Sequence, residues 1–211
     1  MIRSSVGKLA FNTNGISVLT TAVLLFFVAG CASSYHVNTE FSDDGTNTIV
    51  MANNEIKIEG GLKYHGESHI DEWGAAYRVE RRCYLDIRKT EYPGGRVTYD
   101  LMLKYIGVDW LNMETGRSLE LVIDGRSRIL SGEGKVSREK DPSGEFVTES
   151  LDYSVSRDFL IRLAEAESVS VVITGHEGEV KGYFNEDNLA NVRRFVHEFV
   201  RTERQVHDKT G

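Results

Sequence analysis

The sequence predicts a single α+β domain, in which an antiparallel β-sheet built of a meander and hairpins carries two helices from the C-terminal third on one face. Three observations predict it. Hydropathy alternates with period two from Ala76 to Val155, Pro-Gly-Gly and Asp-Gly pairs punctuate that stretch, and after Ser156 the period changes to 3.6. Meander, helix, hairpin, helix is the order of an α+β domain rather than a parallel α/β one.

Thr48–Ala52 and Glu55–Ile58 read as short strands. A longer strand over 76–89 meets Tyr92-Pro93-Gly94-Gly95, which is turn chemistry, and should pair as a hairpin with Arg96–Ile106. In that second strand Val97, Tyr99, Leu101, Leu103 and Tyr105 share one face, while Thr98, Asp100, Met102 and Lys104 share the wet one. Asp124-Gly125 joins Ser118–Ile123 to Arg126–Leu130, because a tight primed turn needs the positive φ angles these residues tolerate. Asp141-Pro142-Ser143-Gly144 turns the chain into Phe146–Val155, with Val147, Leu151, Tyr153 and Val155 inward.

Ser156 can cap a helix whose Phe159, Leu160, Leu163, Ala164 and Ala166 fit a helical stripe. Ser170–Ile173 then reads as a buried strand, and His176-Glu177-Gly178 as a turn into Glu179–Phe184. Asn185 caps a last helix, with Glu186 and Asp187 opposing its dipole and Leu189, Val192, Phe195, Val196, Phe199 and Val200 forming its apolar face.

The chain has 211 residues, 27% charged and 40% hydrophobic, enough to bury a sizeable core in one domain. Its net charge is −7, and because the first thirty residues contribute only Arg3 and Lys8, the remainder carries −9. That balance argues against nucleic acid, whose phosphates call for a clustered basic surface.

The amino terminus carries an address. Arg3 and Lys8 precede the apolar run Ile16–Val28, too short and too one-sided for a transmembrane helix, and the run ends Val28-Ala29-Gly30-Cys31. Charged start, apolar middle and small-small-Cys resemble the signal peptide and lipobox of bacterial lipoproteins. The resemblance implies cleavage between Gly30 and Cys31, a diacylglyceryl thioether on Cys31 and, usually, acylation of the new amino terminus. Several acyl chains would make membrane anchoring effectively permanent. Ala32 stands where lipoproteins retained at the inner membrane of Gram-negative cells often show aspartate, so the resemblance further implies the outer membrane; the lipid signal serves periplasmic and cell-surface orientations alike, and the domain is expected on the periplasmic side. The expected organisation is a signal peptide over 1–30, lipidated Cys31 and a polar flexible tether over 31–48, one domain over 49–205 and a tail over 206–211.

Lipidation of Cys31 leaves Cys83 as the one thiol of the mature domain, which excludes an intramolecular disulfide. Its neighbours Val79, Leu85 and Ile87 share its face, so it reads as a small buried hydrophobe, while Arg81 and Arg82 beside it leave a reactive thiol as the other reading. In an extended chain His65, Glu67, His69 and Asp71 would project from one face at intervals of about 6.5–7 Å. Imidazole and carboxylate suit zinc-like ions, yet a straight strand fans such groups out, so metal binding would need a bulge or a partner segment. His176 lies beside Glu177 in a turn, where a general base could be oriented, but no nucleophile motif, Walker loop, dinucleotide fingerprint or Cys-x-x-Cys accompanies it. Arg193, Arg194, His197, Arg201 and Arg204 make a basic face on the last helix. Trp73 and Trp110 stand near turns or strand ends, and with Arg194 and Arg201 they are candidates for contact with a partner.

The sequence therefore points to an envelope lipoprotein that binds a protein or envelope component without catalysis, needing no cofactor beyond its covalent lipid. A small-ligand or metal-binding sensor using His65–Asp71 is the alternative, followed by a hydrolase with dispersed catalytic residues.

Overall fold

A computed structural model of the chain describes residues 35–59 and 81–201, which form the folded unit treated below. Their strands are β1 (His36–Phe41), β2 (Asn47–Ala52), β3 (Glu55–Ile58), β4 (Arg82–Glu91), β5 (Val97–Gly107), β6 (Gly116–Ile123), β7 (Arg126–Lys140) and β8 (Val147–Val155), followed by β9 (Val169–Gly175) and β10 (Gly178–Tyr183). Helix α1 (Arg157–Glu165) separates β8 from β9; helix α2 (Glu186–Phe195) follows β10 and continues into a π-helical turn, Val196–Val200.

Several local elements fall where the alternation puts them, but β7 runs on to Lys140, past the expected end at Leu130, and residues 76–80 of the strand expected over 76–89 lie outside the described residues. β4 and β5 pair from Arg82↔Ile106 to Glu91↔Val97. The β6–β7 hairpin turns on Asp124 and Gly125, at φ 48° and 77°, the left-handed pair a type I′ connection requires. Ser156 accepts from the Phe159 N–H to cap α1, and Asn185 and Asn188 form a reciprocal capping box on α2.

The assembly differs from the predicted α+β sheet with two helices on one face. Eight strands follow one another around a closed antiparallel barrel, β4–β3–β10–β9–β6–β7–β8–β5 and back to β4. Closure comes from β10, which pairs with β9 on one side and with β3 on the other through Gly182↔Ile58 and Tyr183↔Lys57. An open sheet would leave the edges of β3 and β10 unpaired, and closing it removes both. An eight-stranded barrel is just wide enough for side chains to fill, and Leu101, Leu103, Leu119, Leu121, Leu151 and Ile173 are almost wholly buried inside.

The helices are an end of this barrel and not a layer on a sheet. α1 starts where β8 ends and runs to the start of β9, and α2 starts where β10 ends, which the strand registers place at one end of the barrel. Phe159, Leu160, Leu163, Leu189, Val192 and Phe195 from their inner faces belong to the same core as the strands. Lys89 of β4 donates to the Phe199 carbonyl at 2.8 Å, and Arg157 donates twice to the Val200 carbonyl at 3.1 and 2.9 Å. Two cations thus meet the unpaired carbonyls at the end of the π turn.

A second difference lies before the barrel. The stretch expected as a tether over 31–48 contains β1 and the start of β2, a hairpin laid on the outer half of β4 through Asn47↔Glu91 to Met51↔Ile87. β2 and β3 follow the same edge of β4, interrupted at Asn53, whose φ is 64°. The break is held by side chains: the Asn54 N–H donates to Asp86, the Asn54 amide donates to the Leu85 carbonyl, and the Asn188 amide donates to the Asn54 side chain and to the Glu55 carbonyl. Burial pushes the Asp86 carboxyl above its usual range.

Candidate functional site

At the helix-free end, the chain leaving β5 at Gly107 crosses to β6 through Asp109, Trp110, Leu111, Asn112 and Met113. Beneath this crossing stands Glu149 of β8, fully buried, opposite Tyr105 in the β5–β8 ladder and opposite Arg138 in the β7–β8 ladder. Its Oε1 accepts the N–H groups of Leu111 and Asn112 at 2.6 and 2.9 Å, and its Oε2 accepts that of Met113 at 2.8 Å. Three successive amides converge on one carboxylate because Asn112 adopts φ 54°, folding the crossing into an anion-binding concavity filled by the protein's own side chain.

Arg138 completes the clamp. Its Nε lies 3.4 Å from Glu149 Oε2, and its Nη2 donates to the Met113 carbonyl at 2.6 Å. The β9–β10 turn is fastened to the same crossing: the N–H groups of His176 and Glu177 donate to the carbonyls of Asn112 and Leu111 at 3.0 and 3.2 Å, and Met113 bridges Gly175. Gly175 is required there, since a Cβ would stand 2.0 Å from the Leu111 carbonyl oxygen.

On this fixed floor Trp110, Asn112, Glu114, Arg138 and His176 surround an open cleft of about 370 Å³. Trp110 is half-buried and His176 exposed. Both oxygens of Glu149 are occupied by amides, so this carboxylate holds the floor and cannot serve a ligand as acid or base. The arrangement offers an indole, a guanidinium, an amide, an imidazole and a carboxylate on a rigid rim, which suits recognition.

Of the sequence candidates, Cys31, His65, Glu67, His69, Asp71, Trp73 and Arg204 lie outside the described residues. Trp110 and His176 meet in the cleft. Cys83 is completely buried, and burial pushes its thiol up to about 12. The basic face of α2 is engaged internally: Arg193 donates to the carbonyls of Ala164 and Ala166, Arg194 pairs with Glu198 and stacks on Tyr35, and Arg201 pairs with Glu165. Among the described residues no three His, Cys, Asp or Glu side chains are grouped to hold a metal ion.

Sequence reasoning passed over Glu149 and Arg138. The signal was there: Glu149 has the inward parity of Val147, Leu151 and Tyr153, so a carboxylate was bound to face the core and demand donors. Arg126 and Arg128, at the start of β7, were likewise read only as strand residues, yet with Arg162 they line a second cleft. No protein-family model matches the chain, and no curated protein is detectably similar to it.

Proposed function

We propose that the protein is an envelope lipoprotein, anchored through lipidated Cys31 at the periplasmic side of the outer membrane, whose barrel is a non-catalytic module binding another envelope protein. The charged start, apolar run and small-small-Cys ending at Cys31 support the anchor. The cleft at the helix-free end carries the binding reading. Trp and Arg are the residues most enriched at interface hot spots, and here Trp110 and Arg138 share one cleft whose backbone is locked by the Glu149 clamp. A rigid rim loses little entropy on association. The filled interior directs recognition to the ends and outer faces of the barrel.

The test replaces Trp110, and separately Asp43 on the distant β1–β2 turn, with a photo-crosslinking amino acid in the full-length protein in its native host. Capture of one envelope protein from position 110, absent from position 43 and lost in Cys31→Ser, is the expected result. Equal capture from both positions would overturn the assignment of the cleft. Failure of labelled palmitate to enter the wild type, or membrane retention of Cys31→Ala, would overturn the anchor.

A further inference from the structure

β7 separates from β8 partway along its length. Their pairing runs from Lys140↔Val147 to Ser137↔Ser150, shifts register and ends at Glu133↔Asp152, so among the described residues 126–132 are strand-paired with β6 alone. At this split, Arg126 stands opposite Ile123 and Arg128 opposite Leu121, and directly opposed residues of an antiparallel pair share a face. That face is the inner one, since Leu121 is fully buried. Two arginines therefore occupy positions where the barrel elsewhere places apolar side chains. α1 supplies the other wall of the cleft, with Phe159 and Arg162 three residues apart on one helix face.

The charges do not cancel locally. Among the described residues the side chains of Arg126, Arg128 and Arg162 make no hydrogen bond or ion pair with protein groups. The two carboxylates of the cleft are engaged: Glu165 pairs with Arg201, and Asp124 Oδ1 accepts the N–H groups of Glu167 and Ser168 at 3.0 and 2.9 Å. Arg126, Arg128 and Arg162 thus line one space of about 370 Å³.

We propose that this cleft is a binding site for a compact phosphate group. A carboxylate has one charge and two oxygens, which satisfy a single fork, whereas a phosphate presents three terminal oxygens and a charge near −2, enough for two or three forks at once. The net charge of −7 selects for compactness. An extended polyanion would meet the acidic surface beyond the cleft, while a single phosphate lies within the roughly 8 Å over which the local field is felt at physiological salt. The site is independent of the Trp110 cleft, which lies at the opposite end of the barrel.

The experiment titrates the full-length protein in non-ionic detergent with inorganic phosphate, and in parallel floats it with vesicles of phosphatidylcholine with or without phosphatidic acid, whose monoester headgroup presents three terminal oxygens. Saturable phosphate binding, weakened at least about tenfold in the triple variant R126Q/R128Q/R162Q and unchanged in R117Q/K135Q/K140Q, is expected. Preference for phosphatidic acid vesicles that the first triple variant loses assigns the phosphate to a lipid headgroup; phosphate binding without that preference assigns it to a soluble ligand. The proposal is overturned if the wild type binds neither probe, or if both triple variants lose binding equally. Circular dichroism of the variants confirms that these exposed substitutions leave the fold intact.

Discussion

Arg138 and Glu149 face each other across the β7–β8 ladder, and between them they hold both polar groups of one residue: Glu149 accepts the Met113 N–H at 2.8 Å while Arg138 donates to the Met113 carbonyl at 2.6 Å. The crossing that carries Trp110 is thereby fixed to two neighbouring strands rather than to its own chain neighbours.

Replacing Glu149 by Ala would leave the buried amides of Leu111 and Met113 and the half-buried amide of Asn112 without an acceptor, and Arg138 without its carboxylate partner. An unsatisfied buried group costs about 1–3 kcal/mol, so a total loss of roughly 3–5 kcal/mol is expected, measured as the shift in urea midpoint. Glu149→Gln keeps one acceptor oxygen and should recover part of this. Equal midpoints for Glu149→Ala and wild type would show that the clamp contributes nothing.

Asn188 joins the cap of α2 to the broken strand, accepting from the Asn185 N–H and donating to Asn54 and Glu55. Asn188→Leu removes the capping-box acceptor and strands the buried Asn54 oxygen; a destabilisation of about 2–3 kcal/mol is expected from these two losses. Hydrogen exchange should quicken most in the first turn of α2 and around Asn54.

Alkaline pH should unfold the protein through its buried acids. Cys83 is pushed from 9.0 up to about 12 by burial, so between these values the unfolded chain gives up a proton that the folded chain retains. The unfolded state then binds fewer protons, and stability, undiminished below pH 9, falls by about 1.4 kcal/mol per pH unit for each such group. Tyr105 and Tyr153, each raised from 10.0 to about 12 by burial, join from pH 10 upward. In Cys83→Val the decline should begin one pH unit later than in wild type. An identical pH profile would remove Cys83 from this account.

Gly175→Ala would drive a methyl group into the Leu111 carbonyl, backbone against backbone, where no flexible side chain can yield. Overpacking of this kind costs about 1–3 kcal/mol. The local readout is more specific: Trp110 fluorescence should shift in Gly175→Ala and stay unchanged in Gly94→Ala, where no atom lies within 4 Å of the added methyl.

What could be read from the sequence was local. The parity of β5, the Asp124-Gly125 turn and the caps at Ser156 and Asn185 depend on neighbours within a few residues, and the structure places each where the pattern puts it, except that the face of β5 expected to be wet is covered, with Asp100 buried and Thr98, Met102 and Lys104 half-buried. Barrel closure depends on Tyr183 meeting Lys57 across most of the folded chain, and nothing in either segment names the other. β1 escaped because its side chains are nearly all exposed, so no buried face imprints an alternation. The far half of β7, with Val136 its buried apolar residue, escaped for the same reason. At the candidate site, Trp110 and His176 could be singled out as unusual, but their meeting could not be foreseen, and Glu149 betrayed itself only by parity.

The placement of β1 has a mechanical consequence. Among the described residues it is bonded to β2 alone, and its first residues pair with the last residues of β2, His36↔Ala52 onward. A pull arriving along the chain from the N-terminal side would first part Tyr35 from Glu198 and Arg194 and then break the ladder one rung at a time, in peeling rather than shear. Six residues would pay out about 20 Å of slack at full extension. The closed barrel, whose strands are each held on both flanks, would feel load only after this strand had come away.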